Sequence, residues 1–99
     1  MNNIIKNINK TFDNRVRLGI MSVLMVNDTV EFKRLKELLD LTDGNLASHI
    51  KALEKLHYIM VYKKFVNKKP QTTYQATKQG KIAFKKHISA LEKLINKQK

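Results

Sequence analysis

At 99 residues, with no cysteine and 20 Lys+Arg against 8 Asp+Glu, the chain has room for one domain and none for disulfides, thiolate metal sites or cysteine nucleophiles. The net charge of +12 suits a polyanionic partner, nucleic acid first and an anionic membrane surface second. With 42% hydrophobic residues a core can form, though a small one that a second subunit would help to complete.

Met1 to Lys10 is rich in Asn and Lys and has no apolar h-region, so it does not read as a signal peptide. Ile4, Ile5, Ile8 and Phe12 fall on one side of an amphipathic helix that should dock on something. Asp13 or Asn14 can cap the next helix, which runs to about Val26, is apolar nearly all round from Leu18, and should be the central core helix. Leu18 to Val26 is also the longest greasy stretch, far below the roughly 20 residues needed to cross a bilayer. A soluble, cytoplasmic protein with no membrane partner is expected.

Asn27-Asp28 is a turn signal, and Thr29-Val30-Glu31 is β-rich but very short. Phe32, Leu35, Leu38 and Leu39 make an amphipathic helix with Lys33, Arg34 and Lys36 on or beside its exposed side. After the turn Asp40-Leu41, Thr42 is a good N-cap and Asp43 suits the first turn of the following helix. In that helix Leu46, Ile50 and Leu53, with Ala47 and Leu56 beside them, form an apolar face. The other face carries Asn45, Ser48, His49, Ala52, Lys51 and Lys55: small residues, hydrogen-bonding groups and cations. Two short helices in this relation form a helix-turn-helix, whose second helix fits a DNA major groove.

Tyr58 to Val66 is β-branched and aromatic and reads as a strand. Asn67 to Gln71 is a basic turn and Thr72 to Ala76 a returning strand, giving a hairpin. Lys68 and Lys69 sit at its tip, with Lys63 and Lys64 on the strand leading in. Thr77 caps a last helix that tolerates Gly80 in its first turn and runs through Asn96. Its stripe Phe84, Ile88, Leu91 and Ile95 extends over roughly 30 Å, longer than so small a domain would cover alone, and so suits a dimer seam.

The sequence resembles the short winged-helix transcriptional regulators related to the ArsR and MarR families. The matching pieces are Arg17-Leu18-Gly19-Ile20-Met21, Thr42-Asp43-Gly44-Asn45-Leu46 with His49, and Leu53-Glu54. They continue with Lys63-Lys64-Phe65, Pro70-Gln71-Thr72-Thr73-Tyr74, Thr77 to Gly80, and Ala83 to His87, so that roughly Phe12 to Leu94 is covered in order. Two departures stand out. The usual Gly-Tyr after the recognition helix is His57-Tyr58, which removes the residue best suited to a left-handed C-cap. The usual Gly-Arg-Arg of the wing tip is Asn67-Lys68-Lys69, which keeps charge but not guanidinium geometry.

The resemblance implies a mainly α fold with a small β-hairpin wing. Residues 12–76 would form the DNA-binding core and wing, and 1–11 and 77–99 dimerisation helices, in a single domain. It implies a homodimer, repressor by preference, on an inverted-repeat operator of double-stranded DNA. The DNA-facing set is then Thr42, Asp43, Gly44, Asn45, Ser48, His49, Lys51, Lys55, Lys63, Lys64, Lys68, Lys69 and Thr72. The dimer set is Ile4, Ile8, Phe84, Ile88, Leu91 and Ile95. Within these, Asp43 serves the helix N-terminus better than it reads cytosine, and His49 alternatively packs at the helix edge or bonds a phosphate. Gly44 either lets backbone approach DNA or is neutral. Three scattered histidines supply neither a catalytic triad nor metal-ligand spacing, so an enzyme, a cofactor and a metal site are not expected. Any small-molecule effector would bind at the dimer interface. The alternative function is a basic module binding RNA or a protein.

Overall fold

The computed structural model describes residues 5–96. Asn14 caps the first long helix, α1 (Arg15–Val26), its Oδ1 accepting from the N–H groups of Val16 and Arg17 at 2.9 and 3.1 Å. Ile20, Met21 and Leu24 on α1 are essentially sealed from solvent. The helix packs against every other helix and against the central strand, as its all-round apolar character requires.

Strand β1 (Val30–Glu31) leads directly into α2 (Phe32–Leu39), which stops at Asp40 in the left-handed region, φ 52°. Thr42 then starts α3 (Asp43–Lys55), its hydroxyl accepting from the Asn45 N–H at 3.2 Å. Leu46, Ile50 and Leu53 are buried as their spacing requires, but Ala47 and Leu56 are exposed and Ala52 is half-buried. The helix is therefore rolled a little from the expected orientation, turning Ala47 outward.

His57 adopts φ 60°. Its N–H reaches the Glu54 carbonyl at 2.9 Å and the Tyr58 N–H reaches the Leu53 carbonyl at 3.0 Å, the paired bonds of a Schellman motif. The left-handed cap survives with histidine in the place of glycine.

Strands β2 (Ile59–Val66) and β3 (Lys69–Ala76) form the hairpin, and β3 lies between β1 and β2 in an antiparallel sheet. The turn is tighter than the expected five-residue stretch. Only Asn67 and Lys68 lie outside the ladder, at φ 54° and 64°, which is the signature of a type I′ turn whose twist matches that of the strands. Pro70 is tolerated within β3 because β1 pairs only Thr73 and Tyr74, leaving the Pro70 edge unpaired on that side.

The N-terminal segment corrects the sequence reading. In place of an amphipathic helix, residues 5–7 form a turn and Lys10–Asp13 a single 3-10 turn; Ile4 lies outside the described residues. The cause is local capping and a strong tertiary anchor. The Asn9 side chain accepts from the Thr11 N–H (2.9 Å), and its backbone N–H donates to Nδ1 of buried His87 (3.0 Å). Phe12 is 3% exposed, stacked on Tyr58 and edge-on to Phe84 with centroids 5.8 and 5.3 Å apart.

The last helix, α4 (Lys78–Asn96), starts from a tightly bonded corner. Thr77 donates its N–H to the Tyr58 carbonyl (2.9 Å) and its hydroxyl to the His57 carbonyl (2.6 Å), and that hydroxyl oxygen accepts from the Gly80 N–H (2.9 Å). Gly80 is required here rather than tolerated, since a Cβ at this position would overlap the Tyr58 carbonyl oxygen. Phe84 packs into its own domain's core, 8% exposed, with only an edge reaching the surface beside Ile88. Gly80, Phe84, His87 and Ala90 form the inward face. Beyond them Leu91 and Leu94 are half-buried and Ile95 is 75% exposed, so the stripe outruns the core of a molecule 58 Å long and 25 by 21 Å across.

Candidate nucleic-acid interface

Helix α3 presents Thr42, Asp43, Gly44, Asn45, Ser48, Lys51 and Lys55 to solvent. These roles separate once the contacts are known. The Thr42 hydroxyl is occupied by capping, and the Asp43 carboxylate takes the Lys36 ammonium at 2.9 Å, tying the first turn of α3 to the end of α2. Among the described residues neither the Asn45 nor the Ser48 side chain makes a hydrogen bond, so both retain their donors and acceptors for another molecule. No Cβ contact would arise at Gly44, where the helix surface is open.

His49 turns inward. Its Nδ1 lies 3.3 Å from the Arg17 Nη1, and Arg17 also donates from Nε to the Thr11 carbonyl at 2.7 Å. Burial, and after it the Arg17 charge, hold the imidazole below its usual pKa. Of the residues assigned to DNA, His49 is thus engaged within the domain, at the helix edge.

An open cleft separates α3 from the hairpin. Gly44, Ala47, Ser48 and Lys51 form one wall, and Val61, Lys63 and Tyr74 the other. The ladder register explains which side chains reach it. Val61 pairs with Tyr74, Lys63 with Thr72 and Phe65 with Pro70, and in an antiparallel ladder directly opposed residues share a face. Lys63, Phe65, Pro70 and Thr72 therefore lie on the α3 side, Lys64 and Lys69 on the other side, and Lys68 in the turn.

The outer face is fastened to the body. Tyr62 donates to Gln75 Oε1 (3.0 Å), Gln75 to Asp28 Oδ1 (3.2 Å), and Gln71 to Glu31 Oε1 (2.7 Å). These bonds hold the hairpin at a set angle to α3, and the cations ride on a braced support. From Ile59 to Ala76 the hairpin carries four lysines and no carboxylate.

Three residues of this surface went unassigned in the sequence reading. Arg17 stood in the matched piece Arg17 to Met21 without a role of its own. Glu54 lines the cleft and, second to burial, keeps the Tyr74 phenol above its usual pKa and so protonated. Phe65 stood in the strand and in the matched piece Lys63-Lys64-Phe65 without a role of its own. The residues expected at a dimer seam, by contrast, lie away from the cleft: Ile88 and Leu91 are half-buried on α4, Ile8 half-buried in the N-terminal segment, and Ile95 exposed near the far end. His49, His57 and His87 are separated into a helix contact, a helix cap and a core contact. Among the described residues, no group of three or more His, Asp or Glu side chains is placed to hold a metal ion.

A helix-turn-helix flanked by a basic two-stranded hairpin defines a winged helix, an architecture that offers its second helix to a DNA major groove. The chain belongs to the winged helix DNA-binding domain family, whose model matches residues 16–95. It is 38% identical over 79 residues to the protein MJ0432 of Methanocaldococcus jannaschii, across 80% of this chain and 86% of that one. Among solved structures, a transcriptional regulator homologue from Pyrococcus horikoshii is similar at 35% identity and a TM-score of 0.85, over 95% of this chain and 91% of the other. The transcriptional regulator YodB of Bacillus subtilis shares the fold at 18% identity, with a TM-score of 0.68 over 90% and 89% of the two chains. Family and fold make the protein a DNA-binding winged-helix protein of the transcriptional-regulator class. No helix among the described residues is long and apolar enough to cross a membrane.

Proposed function

We propose that the protein is a cytoplasmic, homodimeric transcriptional regulator of the ArsR/MarR type that binds an inverted-repeat operator, acting as a repressor. The observation that carries this reading is the common orientation of two different chemistries. Ser48 and Lys51 on α3 line the same cleft as Lys63 of the hairpin, and Asn45 is exposed on the turn of α3 before Ser48, so base-edge hydrogen bonds and phosphate contacts can form together. Lys55, Lys64, Lys68 and Lys69 extend the cationic surface along the backbone, with Thr72 beside Lys63. Thr42, Asp43 and Gly44 shape the helix N-terminus that meets the groove.

One recognition helix reads only a few base pairs, too little to single out a genomic site. Two held roughly 34 Å apart would read half-sites about 10 base pairs apart, centre to centre. The seam in this reading runs along Ile88, Leu91 and Ile95, joined by Ile8 and with Phe84 supporting it from within the core. An effector, if one acts, binds there.

Selection of bound fragments from a random duplex pool, with sedimentation of the protein, tests both halves. An enriched inverted repeat and a dimer at tens of micromolar are expected. Ile95→Glu with Leu91→Lys should give a folded monomer that retains only weak, non-specific binding, because it buries poorly compensated charge in the seam. Enrichment of an RNA but no duplex, or a wild-type monomer, overturns the proposal.

A further inference from the structure

We propose that Phe65, backed by Pro70 at the wing tip, is an apolar wedge that enters the DNA minor groove beside the major-groove half-site and selects a deformable base step there. The inference rests on the DNA-binding reading above and deepens it, giving the wing a sequence preference that lysines alone would lack.

Phe65 is 78% exposed. Nothing in folding explains that placement. The sheet's buried side chains end at Tyr74 and its half-buried neighbour Val61, so beyond the Lys63–Thr72 pair the hairpin projects with no core beneath it. A large aromatic ring left in water there forgoes its burial on folding and keeps that free energy for a partner.

Its direction follows from the register. Phe65 shares the face of Val61 and Lys63, which line the cleft against α3. A duplex seated with α3 in its major groove therefore meets this face of the hairpin. The two-residue turn at Asn67-Lys68 keeps the tip as narrow as a hairpin allows, as insertion into a groove about 6 Å wide demands.

The charge around it selects the partner. Lys63 shares the ring's face, Lys64 and Lys69 lie on the opposite face and Lys68 in the turn, with no carboxylate on either strand, a basic tip complementary to the phosphates that border a minor groove. Apolar side chains carried into that groove partly unstack a base step and kink the duplex. Pyrimidine–purine steps yield most readily, so the wedge converts deformability into sequence preference without a hydrogen bond to any base.

The test compares wild type, Phe65→Ala and Phe65→Leu by selection from a randomised duplex pool. The selected duplex is then resynthesised with 2-aminopurine at the flanking step. Because Phe65 is exposed, all three proteins should share one melting temperature. Wild type should enrich a half-site with a pyrimidine–purine step beside it and raise the 2-aminopurine fluorescence. Phe65→Ala should keep the half-site, lose the flanking preference, leave the fluorescence flat and bind about tenfold more weakly. Phe65→Leu should restore most of the affinity.

A flanking preference or fluorescence rise that survives in Phe65→Ala overturns the wedge, as does wild type with a half-site but no flanking preference. Failure to enrich any half-site would instead overturn the DNA-binding reading itself. Binding of phosphatidylserine vesicles in preference to the duplex at equal salt, abolished by Phe65→Ala, would reassign the ring to a membrane surface and overturn the wedge as well.

Discussion

The Arg17 guanidinium lies 3.3 Å from Nδ1 of His49 and so couples the core helix α1 to α3, the second helix of the helix-turn-helix. A guanidinium can only donate, so Nδ1 accepts and the neutral ring carries its proton on Nε2. Burial first, and the Arg17 charge second, lower the His49 pKa from the ordinary 6.5. As pH falls, the unfolded chain takes up this proton before the folded one does. The pair therefore stabilises fully above about pH 6.5 and loses its contribution as pH falls from there through the lowered folded value. The melting temperature of wild type should drop more between about pH 7 and pH 5 than that of His49→Gln. Equal drops in the two proteins would show that His49 is not the titrating link.

Gly80 in the first turn of α4 and Gly44 on α3 should respond oppositely to alanine. Gly80→Ala forces a methyl into the Tyr58 carbonyl and should cost about 3 kcal/mol, read as a lowered urea midpoint. Gly44→Ala meets open space on a helix and should stabilise by up to about 1 kcal/mol. If duplex affinity falls several-fold while stability rises, Gly44 is held for close approach of DNA. Unchanged affinity would make it a neutral surface residue.

His57→Gly should stabilise the domain by about 1 kcal/mol, because the left-handed conformation at φ 60° is costly for a residue with a Cβ. Chemical denaturation measures this directly. A loss of stability instead would mean that the imidazole contributes more than the backbone strain removes.

Replacing Lys68 and Lys69 together with Ala should flatten the dependence of DNA affinity on salt. Every lysine that no longer neutralises a phosphate reduces the log–log slope by about 0.9 in magnitude, and all duplexes should weaken alike. Loss of discrimination between sequences at an unchanged slope would show these lysines reading bases rather than phosphates.

Much of this fold is written locally. Asn14, Thr42 and Thr77 each announce a helix start, and each makes the bond expected of it. Leu46, Ile50 and Leu53 mark an inward face by spacing alone, and the lysines of residues 63–69 mark a basic hairpin. Such features survive in sequence because a cap or a stripe depends on neighbours three or four residues away.

Other features were settled only when the elements met. Periodicity shows that α4 has an apolar stripe but not where the domain stops covering it, so Phe84 proves to be core while Ile95 stays in water. The isoleucines and Phe12 of the first segment fit a helix by spacing. Yet the anchor at His87, 78 residues along the chain from Asn9, and the stacking of Phe12 on Tyr58 favour turns instead. Gly80 looks indifferent until Tyr58 is brought against it, and Arg17 looks like one cation among twenty Lys+Arg until α1 lies beside His49. In each case the deciding energy is a contact between distant residues. Its sign depends on ångström-scale spacing between packed elements, and that spacing exists only after they have packed.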